Sequence, residues 1–235
     1  MLIEATTLVL PARFNGPPGS ANGGYACGEI AALVGDGAEV TLRLPPPLDT
    51  PIRVETVEGV TGVYDGDRLV AEARVVDWDL EVPPPPTMDE AADASSRYAG
   101  FDHHEFATCF ACGTDRDDGL HLWTGWVEGR QMVASPWIAP EDAPLVDGSL
   151  APGIVWAALD CPGAWVTARD LVTTPVVLGR MAARVMVPLA PDRPYLSYAW
   201  RLGEDGRKSY AGTAIADEEG NVLAYARQTW ITVAR

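Results

Sequence analysis

The chain has 235 residues, 47% of them hydrophobic and 21% charged, a balance that belongs to a folded protein rather than a disordered one. Its formal charge is −16, with a single lysine, Lys208, against sixteen arginines. Such a surface repels nucleic acid and anionic membranes as a whole, yet leaves room for a local arginine cluster that attracts a small anion. Apolar runs stop short of the roughly 20 residues a membrane span needs, and residues 1–12 lack the basic start of a secretory signal. The four cysteines, Cys27, Cys109, Cys112 and Cys161, are scattered in a chain large enough to fold without staples. A cytoplasmic protein with reduced thiols is expected.

In chain order, Asn15 precedes Gly16 and the Pro17-Pro18 pair, where a turn is expected. A glycine-opened apolar helix near 20–34 follows, and the β-branched, alternating segments 38–44, 51–58 and 68–76 read as strands. Residues 81–100, with four consecutive prolines and an acidic, small-residue tail, read as a linker. Beyond it come strands at 130–134, 180–188, 194–202, 208–216 and 222–233, and a second apolar helix near 150–162. The two sides are alike. Laying Gly19 on Gly148 puts GSANGGYACGEIAAL over GSLAPGIVWAALDCP, and later RLPPPLDTPIRVE (43–55) resembles MVPLAPDRPYLSY (186–198) and GDRLVAEAR (66–74) resembles GNVLAYARQ (220–228). The shared order of glycine turn, buried helix and antiparallel strands predicts an α+β tandem duplication, with repeats at 1–82 and 105–235 joined by 83–104. Its two helices should lie antiparallel in the concavity of one continuous sheet.

These residues resemble the hotdog fold of acyl-CoA thioesterases and dehydratases, here as a double hotdog. In the thioesterase branch of the phenylacetyl-CoA type, the helix carries Asn-x-x-Gly-x-x-His-Gly-Gly, with an acidic residue nine positions after the His. The second repeat supplies Gly148, Ala151 in the His place, Pro152, Gly153, and Asp160 at the ninth position. The first supplies Gly19, Asn22, Gly23 and Gly24, with Ala31 where the acid belongs. The segment CFACGTDRDDGLHL (109–122) resembles the opening of that branch, where Cys-x-x-Cys-Gly precedes Gly-Leu-x-Leu. The resemblance implies a thioesterase acting on acyl-CoA or another acyl thioester, with no cofactor beyond the coenzyme A of its substrate. A homodimer is also expected, because hotdog sheets commonly pair.

Asp160 lies about eight residues beyond the start of its own helix, roughly 12 Å along the axis, and cannot reach donors there. Thioester hydrolysis needs a carboxylate as base or nucleophile and N–H donors aimed at the oxyanion. An antiparallel neighbour brings such donors: Asn22, Gly23 and Gly24 keep their N–H groups, whereas Pro152 has none. One site per chain follows, with Asp160 facing the Gly23/Gly24 helix start. Structural explanations stand beside this. Pro152 suits a first helical turn, the glycines can simply close a turn, and Asp160, before Cys161 and Pro162, can bind a freed backbone group or an arginine. Enclosure by Ile154, Trp156 and Leu159 would raise its pKa.

Asn15, one position out of register with the family's polarising amide, either orients the water or carbonyl or only shapes its turn. Glu29, about 200° around the helix from the place of Ala31, should point elsewhere. Arg207 and Lys208, at a turn, are candidates for the nucleotide phosphates of coenzyme A or are merely solvated. Arg180 and Arg184 share a strand face and are candidates for a tunnel mouth. Cys109 and Cys112 with His103, His104 and His121 admit zinc, but a single knuckle with loosely spaced histidines is a weak signal. The resemblance implies a metal-free turn. A dehydratase would need the His and Asp pair that this helix turn lacks. A non-catalytic acyl-binding protein on the same scaffold is the alternative to hydrolysis, because the motif histidine is missing from both repeats.

Overall fold

Helix α1 (Gly23–Val34) begins where Asn22 turns its side chain back on the chain: the Asn22 Oδ1 accepts the Tyr25 N–H at 2.9 Å, an N-cap that satisfies one orphan donor of the first turn. The computed structural model describes residues 6–167 and 175–233. Before α1 lies β1 (Thr6–Leu8). After it come β2 (Ala38–Leu42), β3 (Ile52–Val57), β4 (Val60–Asp65) and β5 (Arg68–Val75), then α2 (Met88–Ser95). The remainder holds β6 (Gly125–Trp126), β7 (Met132–Ile138), the small hairpin β8 (Leu145–Val146) and β9 (Ser149–Leu150), and α3 (Pro152–Thr167). It ends with β10 (Val176–Val185), β11 (Pro194–Asp205), β12 (Lys208–Ala216) and β13 (Val222–Thr232).

Eleven strands form one antiparallel sheet in the order β1-β3-β4-β5-β2-β10-β13-β12-β11-β7-β6. The strands that precede α2 fill one end and those that follow it fill the other. They meet at β2 and β10 through three residue pairs, from Arg180 opposite Thr41 to Ala182 opposite Glu39. Both long helices pack on one face of this sheet, α1 over β2 and β5, α3 over β10 to β13. They run antiparallel and nearly backbone to backbone. A Cβ on Gly24 would stand 2.4 Å from the Cβ of Asp160, and one on Gly28 would stand 2.7 Å from the Pro152 carbonyl oxygen. Glycine at these positions is therefore a packing requirement. Ile30, Ile154, Leu159 and Met181 are fully buried in the shared core.

Pro162 inside α3 cannot donate to the Ala158 carbonyl, which instead accepts from the Ser197 hydroxyl at 2.9 Å. The next carbonyl, of Leu159, accepts the Gln228 amide at 2.7 Å. Both helix-to-sheet bonds hold α3 where the proline would otherwise leave a buried acceptor unmatched.

Three features differ from the sequence reading. The expected linker carries α2, closed by a capping box in which the Thr87 hydroxyl accepts the Glu90 N–H and the Glu90 carboxylate accepts the Thr87 N–H. Ala91 and Ala94 of this helix are buried in a second, smaller core with Leu196 and Tyr198. The short strands β1, β6, β8 and β9 were not foreseen, nor was β4, whose alternation Gly62 interrupts. Finally, a bulge between Leu178 and Arg180 resets the phase of β10. Among the described residues, no helix is long and apolar enough to cross a membrane.

Candidate active site

A cavity of about 360 Å³ opens where the start of α1 meets the middle of α3, walled by Leu42, Phe106, Trp165, Leu178 and Trp230. Asn22, Gly23, Asp160 and three of the four cysteines also line it. Its wall is mostly apolar, with Asn22 and Asp160 among its few polar groups.

Asp160 is 2% exposed. Its Oδ2 accepts the Gly24 N–H at 2.9 Å and the Asn22 Nδ2 at 3.1 Å, while Oδ1 is buried and has no hydrogen-bond partner among the described residues. Burial pushes its pKa up to about 7, and the Gly24 and Asn22 bonds only partly counter that shift. Thus the carboxylate of one half touches the helix start of the other. The freed carbonyl of Ala158 goes to Ser197 and not to Asp160.

The helix start is used unevenly. The Tyr25 N–H is capped by Asn22 and the Gly24 N–H is taken by Asp160. The Gly23 N–H donates to no atom among the described residues, and Gly23 lines the cavity. Of the two glycines expected as donors, Gly23 is the one left open toward the cavity, and Gly24 is engaged by the carboxylate itself.

At the opposite end of the helix pair, the Glu29 carboxylate lies against Gly153 at the start of α3, and burial raises its pKa. The expectation that Glu29 points elsewhere is corrected: its longer side chain reaches the start of α3 from two positions before Ala31. Glu29 does not line the cavity.

The remaining sequence candidates lie apart. Asn15 is absent from the cavity wall. Its amide nitrogen donates to the Thr108 carbonyl at 2.9 Å, and its oxygen accepts from Arg116 at 2.8 Å, so it ties two loops together. Arg180 and Arg184 do share a face, but the β10 bulge turns Leu178, Met181 and Ala183 toward the helices and both arginines toward the other side. There Arg180 donates to the Thr41 hydroxyl at 2.9 Å, and Arg184 to the Trp78 carbonyl at 2.6 Å. Arg207 and Lys208 stand exposed in the β11–β12 turn, away from the cavity wall. The arginine at the rim is Arg43, paired with Glu72, which sequence reasoning did not single out.

Sequence reasoning also left out Asn22 as a residue that holds Asp160, and Cys161 as a neighbour of Cys109 and Cys112. The signal for Asn22 was available, since it is an N-cap type sitting in the motif's histidine place. No sequence signal places Cys161, because only the helix crossing brings it there. Its sulfur lies 3.8 Å from that of Cys109, and the three sulfurs fall within 4.8 Å of one another. Interactions among the three thiols hold Cys109 below the usual thiol range and push Cys112 and Cys161 above it. Burial pushes the isolated Cys27 up.

No family model matches the chain, and no curated protein matches its sequence. Solved structures do resemble it over most of its length. The tesB protein of Mycobacterium avium subsp. paratuberculosis has a TM-score of 0.60 at 13% identity, over 98% of this chain and 93% of that one. A conserved protein of unknown function with a hot dog fold from Alicyclobacillus acidocaldarius scores 0.61 at 11% identity, over 100% and 96%. An acyl-CoA thioesterase II, TesB2, from Mycobacterium marinum scores 0.56 at 11% identity, over 84% and 80%. At such identities the likeness is one of fold, and the fold of this chain is the hotdog fold.

Proposed function

We propose that the protein is an acyl-CoA thioesterase-like hydrolase built as a tandem double hotdog, with one working site per chain. The observation that carries this reading is the buried Asp160 carboxylate held against the start of α1 in the wall of an apolar cavity. Two donors fix Oδ2, and Oδ1 is left to take a proton from water. In the proposed reaction the water oxygen attacks the thioester carbonyl carbon as its proton passes to Oδ1. The carbonyl oxygen becomes an oxyanion that accepts the Gly23 N–H at the positive end of α1. Collapse breaks the carbon–sulfur bond, and the Asp160 proton follows the departing thiolate, giving a carboxylic acid and a thiol. The Gly24 N–H acts through Asp160, by holding the base, rather than on the substrate.

The apolar wall suits the acyl part of the substrate, and Arg43 at the rim is the cation best placed for the phosphates of coenzyme A. The proposal includes a cytoplasmic setting and a homodimer. Light scattering should give twice the chain mass, and a monomer would refute the dimer.

Asp160→Asn keeps size while removing basicity. Turnover of a panel of acyl-CoA substrates should fall by about a hundredfold or more with little change in ligand binding. Hydrolysis left intact in this variant would make the carboxylate structural. The better reading would then be a non-catalytic acyl-binding protein, which the engaged Gly24 N–H and the missing motif histidines favour.

A further inference from the structure

Cys109, Cys112 and Cys161 converge from two separate parts of the chain. Cys109-x-x-Cys112 is a tight turn in which the Gly113 N–H donates to the Cys109 carbonyl at 2.8 Å. A Cβ at Gly113 would stand 2.4 Å from the Ala107 carbonyl oxygen, so glycine is needed to close it. Cys161 comes from α3, one residue after Asp160. All three are buried, and all three line the cavity.

Two properties distinguish this cluster from thiols that merely fill a core. The first is spacing. Four sulfurs about 2.3 Å from a tetrahedral zinc lie about 3.8 Å apart, and the Cys109 and Cys161 sulfurs are separated by 3.8 Å, with all three within 4.8 Å. The second is the supply of N–H donors. The Asn22 Nδ2 stands 3.7 Å from the Cys109 sulfur and 3.8 Å from that of Cys161. Donors directed at sulfur stabilise thiolates and orient them as ligands.

We propose that Cys109, Cys112 and Cys161 form a three-thiolate site for one thiophilic divalent cation, Zn²⁺, whose fourth position faces the cavity. Three sulfur–metal bonds form as three thiol protons leave to solvent, and the buried negative charge is offset by the cation. The histidines that the sequence offered do not supply the fourth ligand. The Nε2 of His104 is 3.1 Å from the Cys112 carbonyl oxygen, and its Nδ1 accepts the Phe106 N–H. The Nε2 of His121 is 3.0 Å from the Arg116 carbonyl oxygen, and His103 is exposed. The expectation of a metal-free turn weighed two cysteines; the helix crossing adds a third. This site stands whether or not Asp160 hydrolyses thioesters.

The test is metal binding by the full-length protein, reduced, stripped with chelator and then titrated with Co²⁺ and Zn²⁺. One Co²⁺ per chain is expected, with an intense thiolate-to-cobalt band that Zn²⁺ displaces, and about three protons released per ion. Cys161→Ser should weaken binding at least tenfold, while Cys27→Ser should leave it unchanged. The cobalt spectrum of the unaltered chain needs no variant, so an unfolded Cys161→Ser protein leaves the test intact. Binding without the thiolate band would overturn the proposal. So would no stoichiometric binding by the reduced chain, or a disulfide between two of these cysteines as the state found after purification under reducing conditions.

Discussion

Asp160 combines two demands that work against each other: burial that favours its neutral form, and two donors that favour its charge. The balance leaves it near 7 in the metal-free chain, so turnover of chelator-stripped protein should rise with pH through about 7 and level off above, which a pH profile of kcat/KM reads directly. The same residue costs stability. Its folded pKa lies above its unfolded one, so its stabilising contribution is present at low pH and lost as pH rises through about 7. Holding a carboxylate near 7 rather than 3.8 costs on the order of 4 kcal/mol once it is ionised. Asp160→Asn should therefore melt above the parent chain at pH 8, by a margin that shrinks as pH falls toward 4; equal melting temperatures at pH 8 would show that the carboxylate is not under this load. At this scale the acid itself was legible, because a lone carboxylate in an apolar helix is conspicuous. Glu29 was misjudged because angle around a helix was weighed and side-chain length was not.

Between elements, the crossing of α1 and α3 decides the geometry of the site. A Cβ at Gly28 would stand 2.7 Å from the Pro152 carbonyl oxygen and 2.8 Å from the Gly153 Cα, so Gly28→Ala must push the helices apart. A loss of about 1–3 kcal/mol is expected, by urea unfolding, together with reduced turnover as Gly24 and Asp160 separate. Capping of α2 is more local, and Thr87→Ala should cost about 1 kcal/mol without touching the cavity. The two long helices and eight of the strands were legible from periodicity. The rest was not, for reasons that can be named. The capping box at Thr87 and Glu90 was overshadowed by the four prolines before it, and the β10 bulge adds one residue that no alternation pattern anticipates, reversing the face of Arg180 and Arg184.

Across the whole molecule, the joint between the two ends of the sheet is thin. Three residue pairs link β2 to β10, whereas nine link β10 to β13. Amide protons along the thin joint should exchange with solvent through partial openings that cost less than global unfolding, and those along β10–β13 only near the global limit. Native-state hydrogen exchange resolves the two classes, and uniform protection across the sheet would contradict this. The Asp160–Gly24 contact bridges the same line, so each such breathing motion would briefly hydrate the carboxylate and let it exchange its proton with bulk water. A molecule sealed too firmly along that line would equilibrate this buried proton with solvent slowly.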